Sequence, residues 1–479
     1  MDKKMLESTC KTHDDNISDW GYYGLAYRGG KGFIEDSLGD QNSRESYANW
    51  KERIDAGYNF NYCAAIIDLF NFYLTEKPAV RDLKVLEKDP QWQMFLNDAD
   101  LKGVNFDEWI NEGQKLASAY GSIGILVDKP TTELANVEME IANRVYPYCS
   151  AYILPNILDW IYVKDPVSGR PMLDYLKLKD ADGRYRILTR QIWQVWELDK
   201  TDEAVLVEAG ENKIGEIPFV WMPNIKDLTT PYIGKSDIVD ISRIVASIVR
   251  NLSSGEEIIK FAGFPMMRKP MRRQGDDEAE DTTGPQSVQE FDPEMGESGK
   301  PDWMESVILE PIEAILKWID RKVDEVFRVA HLSGVHGQRK SNNEVASGLA
   351  LRYEFQQLTS VLSKKAENMC EAERNIVRYW LMWQNKNDVF QQVGINRSKN
   401  FSVDDLSANL DNLLKAMKDS VSSAFKAEVQ KSVVRLSLPD LPDKKKGEID
   451  KEIDSAFANG AAVDKTGGDD TGSSVNLDK

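Results

Sequence analysis

Residues 341–358 read SNNEVASGLALRYEFQQL, a polar passage that turns into an apolar repeat continuing past residue 380. Ser341 and Glu344 stand in the S-x-x-E relation of a capping box, where hydroxyl and carboxylate satisfy backbone N–H groups at a helix start. From there Val345, Leu349, Phe355, Leu358, Leu362, Ala366, Met369, Ile376 and Trp380 recur mostly at steps of three and four, which is one face of an α-helix. Unbroken from Ser341 to Gln384, that helix spans roughly 65 Å at 1.5 Å per residue. Gly348 near its start costs about 1 kcal/mol against alanine, which marks a close approach or a bend. Few ordinary enzyme domains need a helix this long.

Upstream, two further amphipathic segments flank an irregular one. Residues 234–262 carry the stripe Ile238, Ile241, Val245, Ile248 and Leu252, with Ser236 as N-cap and Asp237 in the first turn. Residues 304–331 carry Ile312, Ile315, Ile319, Val323, Val326 and Ala330, with Pro311 placing the helix start near Glu310. Between them, MRKPMRR is followed by GDDEAEDTTGPQ and FDPEMGESGKP, rich in proline, glycine and charge. Such an insertion forms little regular structure. The flanking helices are expected to run antiparallel and to carry it to a distal tip. The loop LSGVHGQRKSNN at 332–343 separates the second helix from the long one.

Residues 146–222 change character. Runs of β-branched and aromatic residues are separated by turn clusters at VSGR, ADGR and KTDE, the spacing of an antiparallel meander. Trp160, Tyr162, Trp193 and Trp196 are expected in the core of that sheet; no basic strip is interleaved with them as a nucleobase-stacking surface requires. SIGILVDKP at 122–130 reads as a short buried strand. Residues 45–120 are helical in pattern. Cys63, Ile66, Ile67, Phe70 and Leu74 share one face ahead of Pro78, and two more helices follow, the second starting near Asp107 and ending at Gly121. GYYGLAYRGGKGF at 21–33 fails the GxxxxGK[ST] phosphate-loop pattern and is expected to be a flexible arm. Helical fragments fill 396–458, and the tail 460–479 is rich in glycine, aspartate and serine.

Composition narrows the class. The chain has 479 residues, 41% hydrophobic and 29% charged, as expected for a globular protein of several segments. The N-terminus lacks the apolar core of a signal peptide, so the chain is expected to stay where it is made. Cys10, Cys63, Cys149 and Cys370 form no CxxC pair, and His13, His331 and His336 form no HExxH. No metal site or cofactor is expected. The formal net charge of −19 disfavours non-specific adhesion to nucleic acid over a wide surface.

The order of segments, with YGSIGILVD at 120–128, IPFVWMPN at 217–224 and NNEVASGLALRYEFQQL at 342–358, resembles the portal proteins of tailed double-stranded DNA bacteriophages. The resemblance covers about residues 45–430. It implies an α+β, mainly helical portal fold, with a β-meander in the wing and long stem and wing helices. The implied parts are an N-terminal arm at 1–44, a wing at 45–233, stem helices at 234–262 and 304–331, and a clip at 263–303. A tunnel loop at 332–343, a long wing helix at 344–395, a crown at 396–458 and a disordered tail at 459–479 complete it. It further implies a virion protein forming a homo-oligomeric ring, commonly a dodecamer, at one capsid vertex and acting as a DNA conduit, not an enzyme. Partners implied are double-stranded DNA in the channel, the terminase large subunit, capsid or scaffolding protein and a head-completion or tail adaptor, with no membrane.

On that resemblance His336, Gln338, Arg339, Lys340, Asn342 and Asn343 contact DNA from the tunnel loop. Arg268, Lys269, Arg272, Arg273, Asp276 and Asp277 of the clip meet the motor or adaptor. Asp237, Asp240, Glu256, Glu257, Asp320 and Asp324 are candidates to line the channel, some paired between subunits with Arg243, Arg250, Arg321 and Lys322. Two other classes remain open: another oligomeric connector or scaffold of a virion, and a carboxylate-dependent hydrolase, for which no spacing singles out a catalytic pair.

Overall fold

A computed structural model describes residues 2–41, 45–131, 134, 136–230, 232–263, 267–268, 302–303, 309–332, 348–399, 401, 415, 422–437 and 443–463. The chain divides into two compact units, Met1–Phe401 and Ser402–Lys479. The architecture is α+β, with every described strand pair antiparallel.

The first unit begins with helices α1 (Lys3–Glu7), α2 (Lys11–Arg28) and α3 (Gly30–Leu38). This corrects the expectation of a flexible arm. Trp20 and Phe33 are buried, and of the glycines that suggested flexibility Gly24 and Gly29 stand where a Cβ would crowd a neighbour. A Cβ at Gly24 would sit 2.5 Å from the Tyr120 hydroxyl, so only glycine lets α2 approach that ring. Gly29 ends α2 with φ +65°, a conformation that side chains disfavour.

Helices α4 (Tyr47–Ala56), α5 (Tyr62–Thr75), strand β1 (Val80–Asp82), α6 (Pro90–Asn97) and α7 (Phe106–Tyr120) follow. The stripe expected on α5 is buried throughout, from Cys63 to Leu74. Asp89 caps α6 by accepting from the N–H groups of Gln91 and Trp92, with Pro90 in the first turn. Asn105, two residues before the expected start, caps α7, and Gly121 ends it with φ +97°. Fully buried Trp92 meets Trp380 edge to face at 4.9 Å, and Phe95 packs at the same distance on Phe106.

Two sheets come next. Strand β2 (Ser122–Asp128) lies between β3 (Tyr148–Ile153) and β9 (Phe219–Pro223), and helix α8 (Val137–Ala142) falls between β2 and β3 in sequence. Burial on both faces explains the unbroken apolar run of β2. The second sheet is a meander of β4 (Ile157–Lys164), β5 (Pro171–Lys179), β6 (Tyr185–Thr189), β7 (Ile192–Leu198) and β8 (Ala204–Glu211), in that order. Its turns fall at the expected clusters. The span 146–222 is thus split between two sheets, because its first and last strands pair with β2. Trp160, Tyr162, Trp193 and Trp196 are half-buried; the first three pack on the main core and Trp196 on a smaller cluster with Tyr185.

Helix α9 (Ile241–Gly263) and helix α10 (Leu309–Val329) bracket the short strands β10 (Met267–Arg268) and β11 (Asp302–Trp303). Helix α11 (Gly348–Trp383) has 36 residues, about 54 Å at the standard rise. Leu358, Leu362, Ala366, Met369, Ile376 and Trp380 of its stripe are all buried. Strand β12 (Gly394–Asn396) pairs with β1. The capping box at Ser341 lies outside the described residues. In the second unit, α12 (Ser423–Ser437) and α13 (Asp443–Val463) pack together, and Lys431 pairs with Asp454. Helix α13 continues beyond the expected end of the crown at 458.

Candidate functional site: a helical hairpin and its buried root

The expected antiparallel pair is present. Lys322 of α10 donates to the Ser247 hydroxyl of α9 at 2.6 Å, and Ile315 lies over Gly255. Partners on α9 rise in number as those on α10 fall. Beyond the pair, Met267 lies opposite Trp303 and Arg268 opposite Asp302, a ribbon joining the two sides of the insertion. The apolar stripes face inward: Ile241, Val245, Ile248, Ile319, Val323 and Val326 are buried. Other apolar side chains do not. Ile259 is 51% exposed, Leu316 55% and Trp318 53%. Leu316 and Trp318, two residues apart on α10, lie on different sides of that helix.

The hairpin is rooted by polar contacts. Ser236, expected as N-cap, instead opens a turn ahead of α9. Its hydroxyl donates to the Ala119 carbonyl at 2.6 Å and accepts from the Ile238 N–H. Asp237 pairs with Lys365 of α11, their side chains 4% and 0% exposed. Asn224 donates to Asp237 at 2.8 Å and accepts from Gln114 and Ser118, both at 3.1 Å. Asn368 of α11 donates to the Asn224 carbonyl at 3.0 Å. The Lys365 ammonium also lies 4.6 Å from the Phe70 ring centre. Burial pushes its pKa down, against the opposing pull of Asp237. These contacts satisfy charges removed from water and join α7, β9, the start of α9 and α11 at one place.

A second enclosed network holds α11 lower down. Glu373, fully buried, accepts from Arg397 and from Arg81 at 3.0 Å, and Arg81 reaches Asp107 at 2.6 Å. This ties α11 to β1, the start of α7 and the segment after β12.

The expected channel carboxylates divide. Asp237 is corrected: a carboxylate enclosed with an ammonium has no surface to present to a channel. Asp240 is 67% exposed and lies 3.7 Å from Lys235. Glu256 accepts from the Tyr58 hydroxyl at 2.9 Å, and Glu257 lies 3.7 Å from Arg53. Asp320 and Asp324 are exposed on α10. Three of the bases expected to pair between subunits are engaged within the chain. Arg250 donates to the Ser37 carbonyl at 2.8 Å, Arg243 lies over Tyr22 and Lys322 holds Ser247. Arg268 stands in β10. Lys269, Arg272, Arg273, Asp276 and Asp277 lie outside the described residues, as do His336, Gln338, Arg339, Lys340, Asn342 and Asn343.

Sequence reasoning missed Lys365, Glu373 and Arg397. Each stands among other charged or polar residues, as in LSKKAEN, EAERN and NRSKN, so nothing local marks it as buried and only the fold supplies its partners. No helix among the described residues is long and apolar enough to cross a membrane.

No family model matches the sequence, and no curated protein matches it. Among solved structures, a chain from the neck of an empty GTA particle, computed with C6 symmetry, overlaps at 10% identity and a TM-score of 0.44. It covers 82% of this chain and 94% of its own. A chain from the neck of a native GTA particle, computed with C12 symmetry, gives 10% and 0.41, covering 76% and 88%. Overlaps this loose carry no functional argument.

Proposed function

We propose that the protein is a portal-type virion component whose copies form a ring, with the α9–α10 hairpins set around a central channel for double-stranded DNA. The observation that carries this reading is the hairpin itself. It is firmly rooted, it leads into a charged insertion, and it leaves Ile259, Leu316 and Trp318 in water. Side-by-side copies cover them, and a repeated head-to-tail contact closes into a ring when its rotation permits.

On this reading the residues of 263–303 meet the packaging motor, a terminase large subunit, and later a head-completion or tail adaptor. The loop 332–343 touches passing phosphates through Arg339 and Lys340. Scaffolding or capsid protein surrounds the ring at one vertex. The net charge of −19 per chain suits a conduit, because exposed carboxylates repel a duplex that must slide without sticking. Asp240, Asp320 and Asp324 are the carboxylates proposed to face the bore.

Native mass spectrometry of the purified protein tests the assembly. A single closed stoichiometry, such as a dodecamer, is the expected result. A monomer at every concentration tried contradicts the reading.

A further inference from the structure

Opposite edges of the hairpin carry unlike surfaces. On α10, Trp318 projects from the side of the helix. The residues one turn along it are Arg321 and Lys322, and Lys317 precedes it. Lys317 is 79% exposed and lies 3.6 Å from Glu313, and the Lys322 ammonium lies 5.3 Å from the indole centre. Arg321 and Lys322 therefore make one side of the ring basic. On the far side of α9, a cleft of about 340 Å³ opens between α9 and α4. Its apolar wall includes Leu38, Ala56, Val249 and Leu252. Its charged lining has three carboxylates, Glu52, Glu256 and Glu257, against two cations, Arg53 and Lys260. Glu52 lies 2.7 Å from Lys260 and Glu257 3.7 Å from Arg53, which leaves Glu256, beside the Tyr58 hydroxyl, as the excess carboxylate.

The two surfaces cannot meet within one chain, because α9 stands between them. Positions 247 and 255 of α9 face α10, whereas 249, 253 and 260 face the cleft. We propose that Trp318 of one copy seats in the α4–α9 cleft of its neighbour; the proposal rests on the ring reading and names the contact that builds the ring. The occupant follows from size and charge. The cleft has room for one indole with its flanking methylenes, and its one excess carboxylate, Glu256, suits the Arg321 and Lys322 cations beside Trp318. A buried indole ringed by polar groups is the usual anchor of an interface. Complementary patches on opposite edges generate a head-to-tail contact, which allows closure.

Two measurements test this. Trp318→Glu and Trp318→Phe are compared with wild type by native mass spectrometry, with circular dichroism reporting the fold. Rings are expected to persist in Trp318→Phe and to be lost in Trp318→Glu, with helicity unchanged in both because Trp318 is already half in water. Separately, a Trp318→Cys copy is mixed with an Ala56→Cys copy under mild oxidation. Disulfide-linked dimers are expected, at least tenfold above those formed when Leu228→Cys replaces Ala56→Cys. Rings that survive Trp318→Glu, or cross-linking no greater at Ala56 than at Leu228, overturn the contact while the ring itself stands. A wild-type protein that never assembles overturns both.

Discussion

Lys365 and Asp237 lie 128 residues apart in sequence and form an ion pair that is closed to solvent. The pair joins the longest helix to the turn that launches α9, so the position of the hairpin depends on it. Removing one partner leaves a buried charge without compensation. Asp237→Ala should therefore lose about 3–5 kcal/mol of unfolding free energy, while replacing both residues together by leucine and methionine should lose much less. Urea unfolding of the three proteins measures the difference; equal losses would mean the pair is not coupled.

The same pair predicts a pH effect. Burial depresses the pKa of Lys365 below its ordinary value of 10.5, and the unfolded chain restores it. Between those two values the unfolded state binds more protons, so the contribution of Lys365 to stability rises with pH across that window, and is least below the depressed value. Wild type should gain stability relative to Lys365→Met as pH is raised toward 10.5. A difference that stays flat or falls in urea titrations over alkaline pH contradicts this account.

Much of the scaffold could be read from local pattern. The α5 stripe, the β2 run and the turns of the meander are signals confined to one element, and all three stand where expected. The misreadings involve distant partners. Nothing near Tyr148 shows that it pairs with Asp128 rather than with the meander, and Gly24 looks like a hinge until Tyr120 is placed against it. Asp237 looked like a helix-start carboxylate; its burial depends on a lysine more than a hundred positions later. The hairpin was legible because both its helices carry long apolar stripes. The cleft beside it was not, because α4 reaches α9 only through the fold.

Glu373 serves two guanidinium groups at once, from Arg81 and Arg397. Glu373→Gln keeps the shape and removes the charge, so both arginines lose their enclosed counter-charge. A loss of about 3 kcal/mol or more is expected, read as a fall in the thermal midpoint. A variant as stable as wild type would show that water or Asp107 supplies what Glu373 does.

Gly121 ends α7 at φ +97°, and a Cβ there would stand 2.2 Å from the Gly234 carbonyl oxygen. Both the backbone conformation and the space exclude a side chain. Gly121→Ala should cost about 1–3 kcal/mol through strain and overpacking, measured by urea unfolding. An unchanged midpoint contradicts the assigned geometry.

Arg339 and Lys340 are proposed to meet DNA without building the ring. Arg339→Ala with Lys340→Ala should leave the stoichiometry unchanged in native mass spectrometry and reduce the DNA packaged or retained in particles. Loss of assembly would assign both residues to the scaffold instead.

The central claim concerns where α9 and α10 sit, and electron-microscopic reconstruction of the purified assembly tests it directly. The account predicts a ring seen face-on, with copies of residues 241–263 and 309–329 around an opening that admits a duplex. A solitary closed particle, or a ring that places those helices on its outer rim, would contradict it.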